Sequence, residues 1–187
     1  MTTKKKIFLV VGVIAIVLVL WGISSYNGLV SAREAVDTAW AQVETQYQRR
    51  FDLIPNLVET VKGIFNQEQS VFGNLAEART RYAGAMTINE KVAAASEVES
   101  ALARLLVVVE NYPNLRSSES VQNLMIQLEG TENRVSVERK RFNDAVLAYN
   151  LKVKRFPSNL MASLFGFEER VYFEAAPEAA SAPRVNF

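Results

Sequence analysis

Between Lys6 and Arg33 the chain carries no charge, and residues 7–23, IFLVVGVIAIVLVLWGI, are apolar almost throughout. No other feature constrains the fold as much. At about 1.5 Å of rise per helical residue, roughly 20 residues cross a hydrocarbon layer of about 30 Å. Extending the run through Tyr26 reaches that length, and Trp21 and Tyr26 suit a membrane–water interface. Lys4, Lys5 and Lys6 precede the run, so residues 1–6 are expected in the cytoplasm, residues 7–26 as a transmembrane anchor, and the rest outside the cytoplasm. A cleaved signal peptide has the same basic start and apolar run. The length of the run and the lack of an Ala-x-Ala site favour the anchor, although Gly22-Ile23-Ser24 is a weak small-x-small match.

Beyond the anchor, apolar residues recur at three- and four-residue steps, the signature of amphipathic helices. Leu29, Ala32, Val36, Trp40, Val43, Tyr47, Phe51 and Ile54 form one series, and Leu57, Val58, Val61, Phe65, Phe72, Leu75 and Tyr82 a second. A third contains Val92, Val98, Leu102, Leu105, Leu106 and Val109, with Asn89 as its expected N-cap. The last contains Val121, Leu128, Val135, Phe142, Val146, Tyr149 and Val153 and stops before Pro157. Neither strand alternation nor a Gly-rich phosphate loop is present.

Pro55, inside RRFDLIPNLVETVKG (residues 49–63), sits where the first two series meet. Proline within a helix forfeits a backbone hydrogen bond and crowds the preceding turn, at about 3 kcal/mol. The register carries on across it, which favours a kinked helix. The broad apolar face of residues 101–110, ALARLLVVVE, needs neighbours on several sides, which favours a turn at residues 52–55 and a thicker bundle. With the turn, segments near 30–52, 55–83, 89–110 and 118–156 make an up-and-down bundle. With the kink, a long rod oligomerises to cover its faces. The expected fold is therefore all-α: an N-terminal transmembrane helix, then an antiparallel up-and-down bundle of four segments over residues 27–156, the first two separated or kinked at Pro55. Residues 157–174 come next as an apolar juxtamembrane segment, and the small, proline-rich residues 175–187 as a disordered tail.

Composition narrows the chemistry. The 187 residues include no Cys and no His, so thiol nucleophiles, thiolate or imidazole metal sites and the commonest general acid/base are missing. We expect no catalytic residues, no metal and no cofactor. Three of the 21 basic residues precede the apolar run, and the remainder of the chain is near charge balance against 20 acidic residues, unlike a nucleic-acid binder.

Two stretches, YNGLVSAREAVDTAWAQVETQYQRRFDLIPNLVETVKG (residues 26–63) and YPNLRSSESVQNLMIQLEGTENRVSVERKRFNDAVLAYN (residues 112–150), together with Phe156-Pro157, resemble the signature of the LemA family. The resemblance implies a bacterial protein with an N-terminal membrane anchor and a helical-bundle domain, and it implies no established catalytic activity. The expected location is the bacterial inner membrane, single-pass.

Three groups of side chains merit weighing. Arg49, Arg50, Asp52 and Glu59, with Glu132 and Arg134, are candidates for an interaction site, since Arg makes paired hydrogen bonds to planar anions. The plainer reading is an intramolecular network, with Arg49–Asp52 at i,i+3 and the Glu132–Arg134 stretch as partner. Trp40, Tyr47, Tyr82, Phe142 and Tyr149 read as packed core rather than a ligand pocket. Lys152, Lys154 and Arg155 lead into the uncharged FPSNLMASLFGF, residues 156–167. These three, with Leu160, Leu164, Phe165 and Phe167, are candidates for contact with lipid or a neighbouring subunit. The alternative is that Leu160, Leu164 and Phe165 close the base of the core. The function expected is a scaffold or accessory protein of the cell envelope, acting by homo-oligomerisation and contact with other envelope proteins. A sensor bundle binding a small acidic ligand near Arg49 and Arg50 is the alternative.

Overall fold

The computed structural model describes residues 3–62, 69–112 and 118–173. Among these residues the secondary structure is helical: α1 (Thr3–Lys62), α2 (Gln69–Gly84), α3 (Ile88–Asn111), α4 (Glu119–Lys154) and α5 (Ser158–Phe165). The expected disordered tail, residues 175–187, lies outside the described residues.

Pro55 does not turn the chain. Helix α1 runs through it to Lys62, so the segment expected at 55–83 is in fact the end of α1 and, after residues 63–68, the separate helix α2. The energetics explain the outcome. Phe51, Ile54 and Leu57 are all buried on either side of the proline. Each burial is worth about 1.5–3 kcal/mol, so the three together outweigh a penalty of about 3 kcal/mol. Pro55 itself is exposed, which leaves its ring on the solvent side of the helix.

The chain divides into two compact units. The first joins residues 1–39 to residues 144–170. Here α1 supplies an apolar segment long enough to cross a membrane by length and composition, with a mean hydropathy of 2.9. Its residues from Ile7 to Leu20 are exposed, Phe8 being 81% exposed. Leu29, Ala32 and Val36 of α1 and Val146 and Tyr149 of α4 are buried. The Lys152 ammonium donates to the Gly28 carbonyl at 3.0 Å.

The second unit comprises residues 40–143 and residues 171–173 of the segment after α5. Its contacts define an up-and-down four-helix bundle. Tyr47 and Phe51 of α1 pack on Tyr82 near the end of α2. Arg81 near the end of α2 meets Glu97 of α3, and the three-residue connection 85–87 returns α3 along α2, so the two run antiparallel. Glu44 and Tyr47 of α1 meet Lys91 and Glu99 of α3 in parallel order. Arg50, Tyr47 and Trp40 meet Glu132, Arg139 and Phe142 of α4 in descending order, hence antiparallel.

The cap of α3 is not Asn89. Thr87 takes an extended conformation, accepts from the Glu90 backbone N–H, and donates its own N–H to the Glu90 side chain, forming a capping box. The Thr-x-x-Glu spacing that specifies it is in the sequence, two residues ahead of the asparagine.

Candidate functional site

The main polar constellation lies inside the four-helix unit. Arg50 stands three residues after Tyr47 on α1, and both face inward because they belong to the same buried stripe. The Arg50 guanidinium pairs with Glu132 of α4 and lies 3.8 Å from Glu99 of α3. Arg139 of α4 pairs with the same Glu99. Tyr47 completes the set: its hydroxyl donates to Glu99 at 2.8 Å and accepts from Arg139 Nε at 3.0 Å. Three helices thus converge on one carboxylate held between two guanidinium groups. Burial, reinforced by the Glu99 charge, pushes the Tyr47 hydroxyl well above the usual tyrosine range, so it stays protonated. For Arg139, burial opposes the charge but Tyr47 and Glu99 outweigh it, raising its affinity for the proton. A carboxylate neutralised this way, beside a tyrosine that does not ionise, is a fastening rather than an acid/base pair.

An aromatic cluster adjoins it. Trp40 stacks on Phe173 at 5.9 Å and meets Phe142 edge-on at 5.6 Å. The Arg139 guanidinium covers the Phe173 ring at 4.7 Å. Residue 173 is secured by Asn143, whose amide donates to the Phe173 carbonyl at 3.0 Å and accepts from its N–H at 2.9 Å. In the first unit Asn150 does the same to Arg170, at 2.8 and 2.9 Å. Tyr149 there donates to the Glu168 carbonyl.

Of the six residues proposed as an interaction site, the structure brings together two, Arg50 and Glu132. Arg49, Asp52, Glu59 and Arg134 are exposed, and Asp52 accepts from Gln48 rather than forming the core of a network. The five aromatic residues read as core are all buried. Sequence reasoning missed Glu99, Arg139, Asn143, Asn150 and Phe173 as structural organisers. Arg139 stands in a run of three basic residues, Arg139-Lys140-Arg141, and Glu99 lies two residues after Glu97 in a stretch otherwise rich in alanine and valine. Glu99 and Arg139 lie 52 and 92 residues along the chain from Tyr47, the partner they share, where no local pattern can show the contact.

Among the candidate membrane-proximal residues, Leu160 and Leu164 project outward, 57% and 74% exposed. Phe165 and Phe167 pack edge-on against Tyr26 at 4.8 and 5.8 Å. Lys152 is held by Gly28 and Lys154 by Glu169 at 2.7 Å, while Arg155 is exposed. A shallow groove of about 390 Å³ between α2 and α3 is lined by Glu77, Arg81, Glu97 and Arg104, with Arg81 already paired to both glutamates. Among the described residues no group of three or more acidic side chains is placed to hold a metal ion.

These features define a helical-bundle protein with one N-terminal helix able to cross a membrane and a cluster of ion pairs inside its four-helix unit. The chain belongs to the LemA family, whose model matches residues 39–187. Among similar proteins, the two magnetosome proteins MamQ 1 and MamQ 2 of Paramagnetospirillum magneticum are each 26% identical over 81% of this chain. Magnetosome protein MamQ of Magnetospirillum gryphiswaldense is 24% identical over the same share. The match spans 65% of the length of each of these relatives.

Proposed function

We propose that the protein is anchored in the inner membrane by α1, with its bundle outside the cytoplasm, and acts by self-assembly and protein contact as an envelope scaffold or accessory factor. The observation that carries this reading is a pair of bare apolar side chains on one face of α4, with exposed Asn133 between them. Ile126 and Val137 are 66% and 51% exposed. They are 11 residues apart, three full turns, and therefore share one face. Exposed Gly130 lies between them with nothing within 4 Å of where its Cβ would stand, so another helix can approach closely there. The names of the MamQ relatives specify no reaction, in keeping with a non-enzymatic role. The alternative of a sensor for an acidic ligand is weakened, because the Arg50 guanidinium is ion-paired with Glu132 and lies near Glu99, although its buried Nε has no hydrogen-bond partner among the described residues.

The test is the mass of the full chain in detergent micelles or nanodiscs by light scattering. The wild type is expected to form an oligomer, and the Ile126→Asp/Val137→Asp double variant to shift towards the monomer with helicity unchanged. A monomeric wild type at high concentration overturns the assembly reading. For orientation, Asn89→Cys in a chain with no native cysteine should react with a membrane-impermeant thiol reagent in intact spheroplasts. Reaction only after lysis reverses the topology.

A further inference from the structure

The first unit contains a helix that is apolar on both sides. Residues 156–167 are uncharged, and α5 within them buries one face while presenting another. On the inner face Ala162 is buried, and Met161 Cε comes within 3.8 Å of where a Cβ on Gly22 would stand. Phe165, at the end of the helix, rests against Tyr26. On the outer face Leu160 and Leu164, one turn apart, point away from the protein, and Phe156 just before the helix is 79% exposed. A helix with apolar residues on two sides needs an apolar neighbour on its second side as well as its first.

The position of α5 along α1 says what that neighbour is. Gly22 and Tyr26 are the last turn of the 20-residue stretch, residues 7–26, that is the span of a bilayer. The four-residue step from one to the other covers about 6 Å along the helix axis. An interfacial helix buries its apolar face roughly 5–10 Å into the boundary between headgroups and acyl chains. Contacts to Gly22 and Tyr26 therefore hold α5 at interfacial depth. Its mounting is firm: Ser158 Oγ lies 2.6 and 2.9 Å from the Lys152 and Arg155 carbonyls at the end of α4. At the other end Gly166 takes a φ of +69°, which favours glycine, and lets the Phe167 N–H close onto the Ala162 carbonyl at 2.9 Å.

We propose that α5 with Phe156 is a lipid-contacting foot, lying in the outer membrane–water interface with Leu160 and Leu164 among the acyl chains. The proposal rests on the anchored reading above and adds a second, peripheral contact to it. Apolar burial rather than headgroup charge drives that contact. Of the three basic residues leading into the segment, Lys152 is already bonded to Gly28, Lys154 is paired with Glu169 and Arg155 is exposed, while Glu168 comes directly after the apolar stretch. A zwitterionic surface therefore suffices.

Because the chain has no cysteine, single spin labels report depth cleanly. Leu160→Cys, Leu164→Cys, Val13→Cys and Gln127→Cys are introduced one at a time into the full chain, labelled, and reconstituted in phosphatidylcholine vesicles with and without phosphatidylglycerol. Relaxation by oxygen, which enters lipid, is compared with relaxation by a water-soluble nickel chelate. Labels at 160 and 164 are expected to favour oxygen, less strongly than the label at 13 in the span, while the label at 127 favours nickel. The ratio at 164 is expected to change less than twofold between the two lipid mixtures. A nickel-favouring label at 164 overturns the foot while a lipid-exposed label at 13 keeps the anchor. Protection of 164 from both reagents assigns the face to a second copy of the chain, and an oxygen signal confined to anionic vesicles assigns the contact to charge. Each overturns the proposal, and a water-exposed label at 13 overturns the anchor with it.

Discussion

The two units differ in the polar pairing nearest their cores, and neither satisfies every buried group: Ser25 Oγ in one and Trp40 Nε1 in the other have no hydrogen-bond partner among the described residues. Residues 40–143 use charge against charge, with Glu99 between Arg50 and Arg139 and the Tyr47 hydroxyl joining two of them. The unit built on residues 1–39 and 144–170 relies more on neutral groups, the Asn150 amide and the Tyr149 hydroxyl, each bonded to backbone, beside one long Asp37–Arg170 ion pair at 3.7 Å. The neutral Asn143 clasp on Phe173 belongs to the other unit. Burying ions is tolerable only where every ion finds a partner, because the desolvation cost of each is several kcal/mol. A four-helix core offers three helices from which to supply partners. A unit whose longest helix carries the bare apolar segment offers few, and there a neutral amide carries the smaller desolvation cost.

Breaking the charged fastening should have the largest effect. Glu99→Ala leaves Arg50 and Arg139, with side chains only 7% and 19% exposed, short of their shared carboxylate. Loss of one partner from a buried pair costs about 3–5 kcal/mol. Arg50 keeps Glu132, so we expect about 3 kcal/mol, read as the denaturant midpoint of the full chain in detergent micelles. Removing the exposed Glu77 partner of Arg81 should leave that midpoint where it was. Equal midpoints for Glu99→Ala and Glu77→Ala would remove the distinction between a core fastening and a surface pair.

The neutral fastening should come next. Asn150→Ala deletes two hydrogen bonds to one backbone residue and leaves the Arg170 N–H and carbonyl without them. An unsatisfied buried group costs about 1–3 kcal/mol, so about 2 kcal/mol is expected. Hydrogen exchange locates the damage: Asn150→Ala should accelerate exchange at the Arg170 amide, and Asn143→Ala at the Phe173 amide. Unchanged exchange at both would show that neither asparagine holds its segment.

What the sequence revealed and what it hid divide along the same physical line. Helical stripes depend on spacing within one segment, and Leu29, Val36, Trp40, Val43, Tyr47, Phe51 and Ile54 are all buried as the three-and-four steps require. The family signature is equally local, and it too was legible. The course of the chain at Pro55 was not, because it turns on a sum of burial energies against a local penalty. Among the candidate interaction residues, Arg50 and Glu132 do meet, yet nothing near either one announces it, since the contact joins α1 to α4. Asn143 and Asn150 belonged to the recognisable family pattern, but the residues they grip lie beyond Pro157 in a segment with no periodicity of its own. Long-range polar pairing leaves no trace in local order.

Tyr47→Phe probes the charged fastening more gently. It removes the hydroxyl that donates to Glu99 and accepts from Arg139 while keeping the ring, for about 1–2 kcal/mol. The pH dependence gives this variant its own signature. The folded-state pKa of Tyr47 is raised, chiefly by burial, above its unfolded value of about 10. The stabilisation is therefore fully present below about pH 10 and is lost as the pH rises towards the folded value, because the unfolded chain releases the proton first. The stability gap between wild type and Tyr47→Phe should narrow above about pH 10. A gap constant to the alkaline limit would mean the hydroxyl is not buried.

The smallest effect is expected where the fastening is local and exposed, at the start of α3. Thr87→Ala removes the side-chain acceptor for the Glu90 N–H, a cap worth about 1 kcal/mol. Glu90→Gln keeps an acceptor for the Met86 and Thr87 N–H groups but loses its charge, so its effect should be smaller still. Those same two N–H groups hold the Glu90 carboxyl below the usual glutamate range. A depressed pKa contributes stability above the unfolded value of about 4.3, and that contribution is lost as the pH falls through the lower folded value. Wild type and Glu90→Gln should therefore differ at neutral pH and converge in acid, while Thr87→Ala stays lower than both. Thermal midpoints followed by circular dichroism from about pH 7 to about pH 3, a range that brackets the glutamate titration, decide it. Convergence of Thr87→Ala with the wild type in acid would show that the box acts only through the Glu90 charge and that the threonine hydroxyl contributes nothing of its own.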